Sequence, residues 1–244
     1  MEQKDTSGFL SGNALKLIAA AAMTIDHVGL LFFPGVRWLR VIGRLAFPIF
    51  AYMVAEGCKY SRNRLRYFLT MFLLACACQA VYFAVDGSLY LSVLVTFSLA
   101  IPVICALQAF KESLANGHRF RAVIAGTALA SAVALVWILN CFLEIDYGFW
   151  GCMLPVFPAL FQTRRGKTPA DPRLDRKEVH VLCLGLGLVL LSLSLGGIQF
   201  RSLLSLPLLL CYSGRRGKAD MKYFFYLFYP AHLAVLQGLQ WLLK

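Results

Sequence analysis

An all-α fold, a polytopic integral-membrane helical bundle, follows from three properties of this sequence. Hydrophobic residues fill 59% of the 244 positions and charged residues only 15%, more apolar surface than a soluble domain of that length can hide. The apolar residues come in runs close to the ~20 needed to cross about 30 Å of hydrocarbon. Short charged loops break the runs, and their basic residues fall at alternate helix ends. The chain reads as one transmembrane domain over 1–244, with about nine spans and eight as the alternative.

Residues 1–12, with Glu2, Lys4 and Asp5, read as a cytosolic lead-in. A cleaved signal peptide is not expected, because the first apolar run carries Asp26 and His27 and continues past the usual length. Spans are expected at 14–33 and 38–57, parted by Pro34–Gly35, then at 66–85, 89–110, 121–143, 147–162, 179–198, 201–212 and 223–243. The sixth is short and holds Pro155 and Pro158; the eighth is short and holds Pro207. Both are candidates for broken or re-entrant segments, and they are why eight spans stays open. The fifth is rich in Ala and Gly, which suits close helix packing. The loop at 163–178, with Pro169 and Pro172, is the one sizeable connection and is expected to be mobile.

Loop charges set the orientation. Nineteen of the 24 Lys and Arg fall on one side of a nine-span layout, in the lead-in and the second, fourth, sixth and eighth loops. Arg37, Arg40, Arg201 and Lys244 fall on the other, and Arg44 lies within a helix. By the positive-inside rule the N-terminus is cytosolic and the C-terminus outside. The formal charge of +12 is thus a topology signal, and no nucleic acid is expected as a partner. The eight cysteines lie mostly inside apolar runs, form no CxxC and read as small packing residues.

Function is expected where ionisable residues interrupt the first two spans, because lipid rejects them and they must face a protein interior or a wet cavity. Lys16 and His27 are eleven residues apart, three helical turns plus about 20°, so they share a face some 16–17 Å apart along the axis. Lys16 at the inner end can hold an anion, and a neutral His27 deeper in can serve as a general base. That spacing suits a coenzyme A thioester, phosphates outward and acyl group inward. Snorkelling is the plain alternative for Lys16, and a hydrogen-bonded structural histidine for His27. Asp26 points about 100° away from His27, so Arg44 on the next span is its expected partner, in a structural ion pair or a substrate-binding role. Arg40, one turn outward, is expected at the interface, and Glu56 at a solvated helix end or a substrate contact. His232, two residues after Pro230, either faces His27 or packs. Asp146 and Tyr147 start the sixth span at its outer mouth, where an acidic group binds a cationic acceptor or simply caps the helix. Arg62 and Arg64 are basic loop residues suited to the donor's phosphates. His118 and His180 earn no role, and without HxxxH or HExxH no metal is expected.

The blocks LKLIAAAAMTIDHVG, RVIGRLAFPIFAYMVAEG, RNRLRYFLT, IDYGFWG and KYFFYLFYPAH resemble the TraX family, named for the F-pilin acetylase, across nearly the whole chain. The resemblance implies a transmembrane acyltransferase that uses acetyl-CoA to N-acetylate an acceptor, in the namesake a pilin N-terminus. It is similar, more distantly, to the wider membrane acyltransferases, which use a first-helix basic residue followed eleven positions later by histidine. Lys16 and His27 match that spacing, with Lys where Arg is usual, which keeps the charge but loses the bidentate fork. The acceptor is then a protein or small molecule at the membrane, and an oligomer is compatible. A small-molecule transporter and a non-catalytic assembly factor for a surface structure are the competing readings.

Overall fold

The computed structural model describes residues 8–242 except Ser88 and Ala170, with the backbone alone for Val85, Asp86, Lys222, Gln237 and Trp241. Part of the expected lead-in, and position 243 of the last expected span, lie outside the described residues. The helices are α1 (Gly12–Leu31), α2 (Arg37–Gly43), α3 (Ala46–Tyr60), α4 (Arg64–Asp86), α5 (Val93–Ala115), α6 (Arg119–Phe142), α7 (Gly148–Met153), α8 (Val156–Ala159) and α9 (Lys177–Leu195). A 3₁₀ helix (Gly197–Ser205), α10 (Leu206–Leu210) and α11 (Lys222–Leu242) follow. No strand is present among the described residues, which contain only isolated bridges.

Among the described residues, six stretches are long and apolar enough to cross a membrane: α1, α2–α3, α4, α5, α6 and α9. Their outward faces are what lipid requires. On α4, Leu65, Leu69, Phe72 and Leu73 are exposed along one stripe, and on α9 Leu182, Leu186 and Leu193 are exposed opposite the buried Leu184, Leu188 and Leu191. Exposed apolar stripes of this length mark a membrane-facing surface. The protein is an integral membrane protein.

The expected sixth and eighth spans are not continuous helices. Pro158 has no N–H for the carbonyl of Leu154, and its ring crowds that carbonyl; the helix breaks there, between α7 and α8. The eighth starts from Gly196 and Gly197, both with positive φ, and runs as 3₁₀ before becoming α-helical at Leu206. The second span is also broken, which hydropathy did not foresee. Pro48 is the third residue of α3 and crowds the carbonyl of Arg44, so the chain turns through Arg44–Leu45 between α2 and α3.

The chain divides into two compact units. One contains residues 1–53 and 195–244, the other 54–194. In the first, α1 packs on α2 and α11, and α2 on the 3₁₀ helix. The segment before α1 is tied down: the Leu10 amide donates to the Cys211 carbonyl, the Ser213 amide to the Leu10 carbonyl, and the Gly12 and Asn13 amides to the carbonyls of Arg215 and Arg216. Ser11 caps α1, its Oγ accepting from the Ala14 amide at 3.2 Å. In the second unit α5 is central, packed by α4, α6, α7 and α8 around Val103, Val136, Ile145, Cys152 and Met153. The expected mobile loop is anchored, with the Arg165 amide on the Lys59 carbonyl and the Thr163 amide on Asp175 Oδ2. All eight cysteines are free thiols; Cys58, Cys78, Cys152 and Cys183 are buried, while Cys76 and Cys141 are exposed.

Candidate functional site

In the first unit, α1 meets α11 along the face that carries Lys16 and His27. Lys16 Nζ lies 5.7 Å from the centre of the Phe225 ring, within cation–π range. The His27 ring meets His232 edge to face, with centroids 5.2 Å apart. His232 in turn stacks on Phe228 at 5.1 Å and abuts Tyr229 at 5.4 Å. His232 therefore faces His27 rather than packing elsewhere.

Hydrogen bonds set both imidazoles. His27 Nδ1 is 2.8 Å from the Met23 carbonyl, and His232 Nδ1 is 3.0 Å from the Phe228 carbonyl. A carbonyl only accepts, so each Nδ1 carries a proton and donates it. In the neutral rings Nε2 then holds the lone pair, the form a general base needs. His232 is only 8% exposed, and its Nε2 has no partner among the described residues.

Asp26 is clamped from α2. Arg40 Nη1 donates to Asp26 Oδ2 at 2.8 Å, and Arg44 Nη2 lies 3.2 Å from the same oxygen. Arg44 is thus a partner as expected, but Arg40 is the nearer one and does not simply reach the interface. Arg40 and Arg44 are four residues apart at the end of α2, so both guanidiniums lie on one face and reach one carboxylate. Gly43 makes the approach possible, because a Cβ there would overlap Asp26. Arg44 Nη1 also donates to Gln199 Oε1 at 3.3 Å. Gln199 falls in the short connection between the expected spans 179–198 and 201–212, with nothing in its spacing to single it out.

At the other end of α1, the amides of Gly12 and Asn13 bond the loop that carries Arg215 and Arg216. Arg216 lies close enough to Lys16 for their like charges to interact. Arg216 thus adds positive charge around Lys16, and sequence reasoning did not select it. Its signal was the RRGK run after the eighth span.

The remaining predicted residues lie in the second unit. Arg62 is exposed. Arg64 is engaged within the protein, donating to Gln108 Oε1 at 2.5 Å and the Cys105 carbonyl at 3.4 Å, with Glu112 at 4.0 Å. Glu56 is not a solvated helix end. It is 7% exposed and accepts from Gln162 Nε2, while Lys111 Nζ donates to the carbonyls of Ala159 and Gln162.

His180, set aside from the sequence, is buried with its Nε2 3.0 Å from Asp175 Oδ1. Burial alone would raise the Asp175 carboxyl, but the His180 hydrogen bond, the Lys59 charge and the Thr163 amide outweigh it and hold it below the usual carboxylate value. Asp146 does not cap the sixth span. Its side chain accepts from the Tyr90 hydroxyl at 2.8 Å, and its carbonyl from Thr96 Oγ1 at 2.7 Å. Burial and the Asp146 charge together push the Tyr90 hydroxyl up. Tyr147 is the one non-glycine residue with positive φ among the described residues, so it forms the tight turn into α7. Those residues contain no cluster of three metal-ligating side chains.

An all-helical integral membrane protein, with ionised side chains clamped inside its first hairpin and two imidazoles facing each other, is the class that fold and site define. The chain belongs to the TraX family, described as TraX protein, which matches residues 11–240. It is 26% identical over 243 residues to the "Probable fimbrial assembly protein FimC, serogroup H1" of Dichelobacter nodosus, covering 91% of this chain and 92% of that protein. It is also 26% identical over 134 residues to the uncharacterized protein RP591 of Rickettsia prowazekii (strain Madrid E), covering 55% of this chain and 49% of that one. No solved structure matches.

Proposed function

We propose that this protein is a membrane-embedded acyltransferase of the bacterial cytoplasmic membrane, N-terminus inside, that moves an acetyl group from acetyl-CoA to an amine or hydroxyl. One observation carries the reading: Lys16 and His27 lie along the same side of α1, both against α11, and His27 keeps Nε2 as its basic nitrogen. Half-buried Lys16 with Arg216 nearby suits the donor's phosphates. Acetyl-CoA supplies the activated thioester. His27 Nε2 takes the proton from the acceptor's amine or hydroxyl as that atom attacks the thioester carbonyl, and returns it to the sulfur when the carbon–sulfur bond breaks. Asp26, held by Arg40 and Arg44, keeps the hairpin's polar end in place, and Arg44 faces the acceptor. The fimbrial-assembly name of the Dichelobacter relative favours a pilin-like N-terminus as that acceptor.

The same name supports a second reading, a non-catalytic assembly factor for a surface structure. The two separate on acetyl-CoA binding by the purified protein, measured by calorimetry with Lys16→Ala and His27→Ala beside the wild type. Saturable binding lost in Lys16→Ala but kept in His27→Ala is the expected result. No binding by folded, monodisperse wild type sinks the acyltransferase, and assembly function that survives both substitutions favours the second reading.

A further inference from the structure

The loop between α10 and α11 is seated on the first turn of α1. The Ser213 amide and Oγ both donate to the Leu10 carbonyl. The carbonyls of Arg215 and Arg216 accept from the Gly12 and Asn13 amides at 2.8 and 2.9 Å. Asn13 is buried, and its Nδ2 donates to the Ala219 carbonyl at 2.6 Å. Gly217 completes the seat with a φ of 103°, which favours glycine, and a Cβ there would lie 3.0 Å from Ser11 Oγ. Asn13, Lys16, Ala20, Met23 and His27 follow one another at intervals of three or four residues, so they form one stripe along α1. The Asn13–Ala219 bond therefore sets the loop over the end of the stripe that carries Lys16 and His27.

The seat gathers positive charge where a helix disfavours it. The described side chains of residues 8–25 and 211–221 carry four basic groups, Lys16, Arg215, Arg216 and Lys218, against one carboxylate, Asp220. Arg216 lies 2.5 Å from Asp220. The start of a helix is the positive end of its dipole, so cations held there cost stability. Lys16 is half-buried and less screened than the others, and Arg216 is close enough for the two like charges to interact. The first amides of α1 are already satisfied by the loop carbonyls and Ser11, so the excess here is side-chain charge. A ligand with several phosphate charges relieves all of it at once.

We propose that residues 213–218 and Lys16 form the phosphate site for a nucleotide-bearing thioester of the coenzyme A type, in which Arg215 and Lys218 read the 3′-phosphate. This rests on the acyl-transfer reading and says which end of the donor each charge takes. In coenzyme A the pyrophosphate stands between the thiol arm and the ribose that carries the 3′-phosphate. Lys16 is the deeper cation, on the stripe that leads to His27, and suits the pyrophosphate. Arg215 and Lys218 are exposed and meet the phosphate beyond it.

The detergent-purified full-length protein is titrated by calorimetry with coenzyme A and with dephospho-coenzyme A, neither of which carries an acyl group. Wild type is expected to bind coenzyme A about tenfold more tightly than the dephospho form, the scale of one charge-assisted contact. The double variant Arg215→Ala/Lys218→Ala binds the two ligands alike, at the level of the dephospho form. Without ligand it melts no lower than wild type, because like charges have been removed. Arg119→Ala/Arg121→Ala, which removes two exposed charges at the start of α6, keeps the wild-type preference. A preference that survives in Arg215→Ala/Lys218→Ala overturns the proposal and leaves the acyl-transfer reading standing. So does wild type that binds both ligands equally, or a loss shared by Arg119→Ala/Arg121→Ala, which marks diffuse charge. A clear drop in the melting temperature of Arg215→Ala/Lys218→Ala makes the two residues structural and also overturns it. Binding of neither ligand by folded wild type overturns the acyl-transfer reading together with this site.

Discussion

His27 and His232 come from α1 and α11, and each donates its Nδ1 proton to the carbonyl four residues earlier in its own helix. Their rings meet edge to face at 5.2 Å. The two helices thus present paired imidazoles in the same tautomer, with the backbone rather than a carboxylate holding each proton.

That pairing separates stability from activity at His232. Its Nε2 is buried without a partner among the described residues, and His232→Phe removes it while keeping the stack on Phe228. The variant is expected to melt higher, by about 1 kcal/mol of stability. If the pair handles the transferred proton, the same variant loses about tenfold or more in coenzyme A release with acetyl-CoA binding intact. Turnover equal to wild type would reduce His232 to a packing residue. His27→Ala is the harsher case, with an expected loss of about a hundredfold or more.

Gly43→Ala tests the clamp sterically. A Cβ at 43 overlaps the Asp26 side chain, so the carboxylate must leave Arg40 and Arg44 or α2 must shift. The overpacking alone is expected to cost about 1–3 kcal/mol. A melting temperature within a degree of wild type would mean that the approach of α1 and α2 is not tight.

Gln162→Leu tests the second unit. Buried Glu56 then loses its Gln162 donor, and the loss of that one hydrogen bond is expected to cost about 1 kcal/mol. Glu56→Gln is milder, because an amide oxygen still accepts. The order of the two melting temperatures is the measurement, and Gln162→Leu melting at or above Glu56→Gln contradicts the assignment.

Asp175 makes an acid-side prediction. Its carboxyl sits lower in the folded protein than in the unfolded chain, where the ordinary value is about 3.9. The folded state then gains stability wherever the unfolded chain binds the proton more readily: fully above that value, and progressively less as pH falls through the lower folded one. The melting gap between wild type and Asp175→Asn should therefore be steady above about pH 5 and close below about pH 4. A gap that holds constant down to pH 3 removes Asp175 as the cause.

Hydropathy located the long helices to within a few residues, because a run of lipid-compatible side chains leaves the backbone little choice but helix. It failed where a proline near a helix start redirects the chain. Pro48 was visible, but a proline in the first turn is normally tolerated, so the turn at Arg44 was not foreseen. The shared face of Lys16 and His27 was legible because both lie on one regular helix. The glutamine partners of Glu56 and Arg44 were not, since Gln162 and Gln199 stand 106 and 155 residues away and an isolated glutamine carries no spacing signal.

The first unit draws on both flanks of the chain, and this orders its biogenesis. Arg40 is only 14 residues from Asp26, so this neutralising pair can close as soon as the first hairpin enters the bilayer. Gln199 follows Arg44 by 155 residues, about ten to thirty seconds of synthesis at ordinary ribosomal speed. During that wait Asp26 and Arg40 can stay paired, while the imidazole on α1 waits still longer for its counterpart. A nascent chain stalled before the last helix would carry the Asp26–Arg40 pair without the His27–His232 contact, which forms only when translation is nearly done.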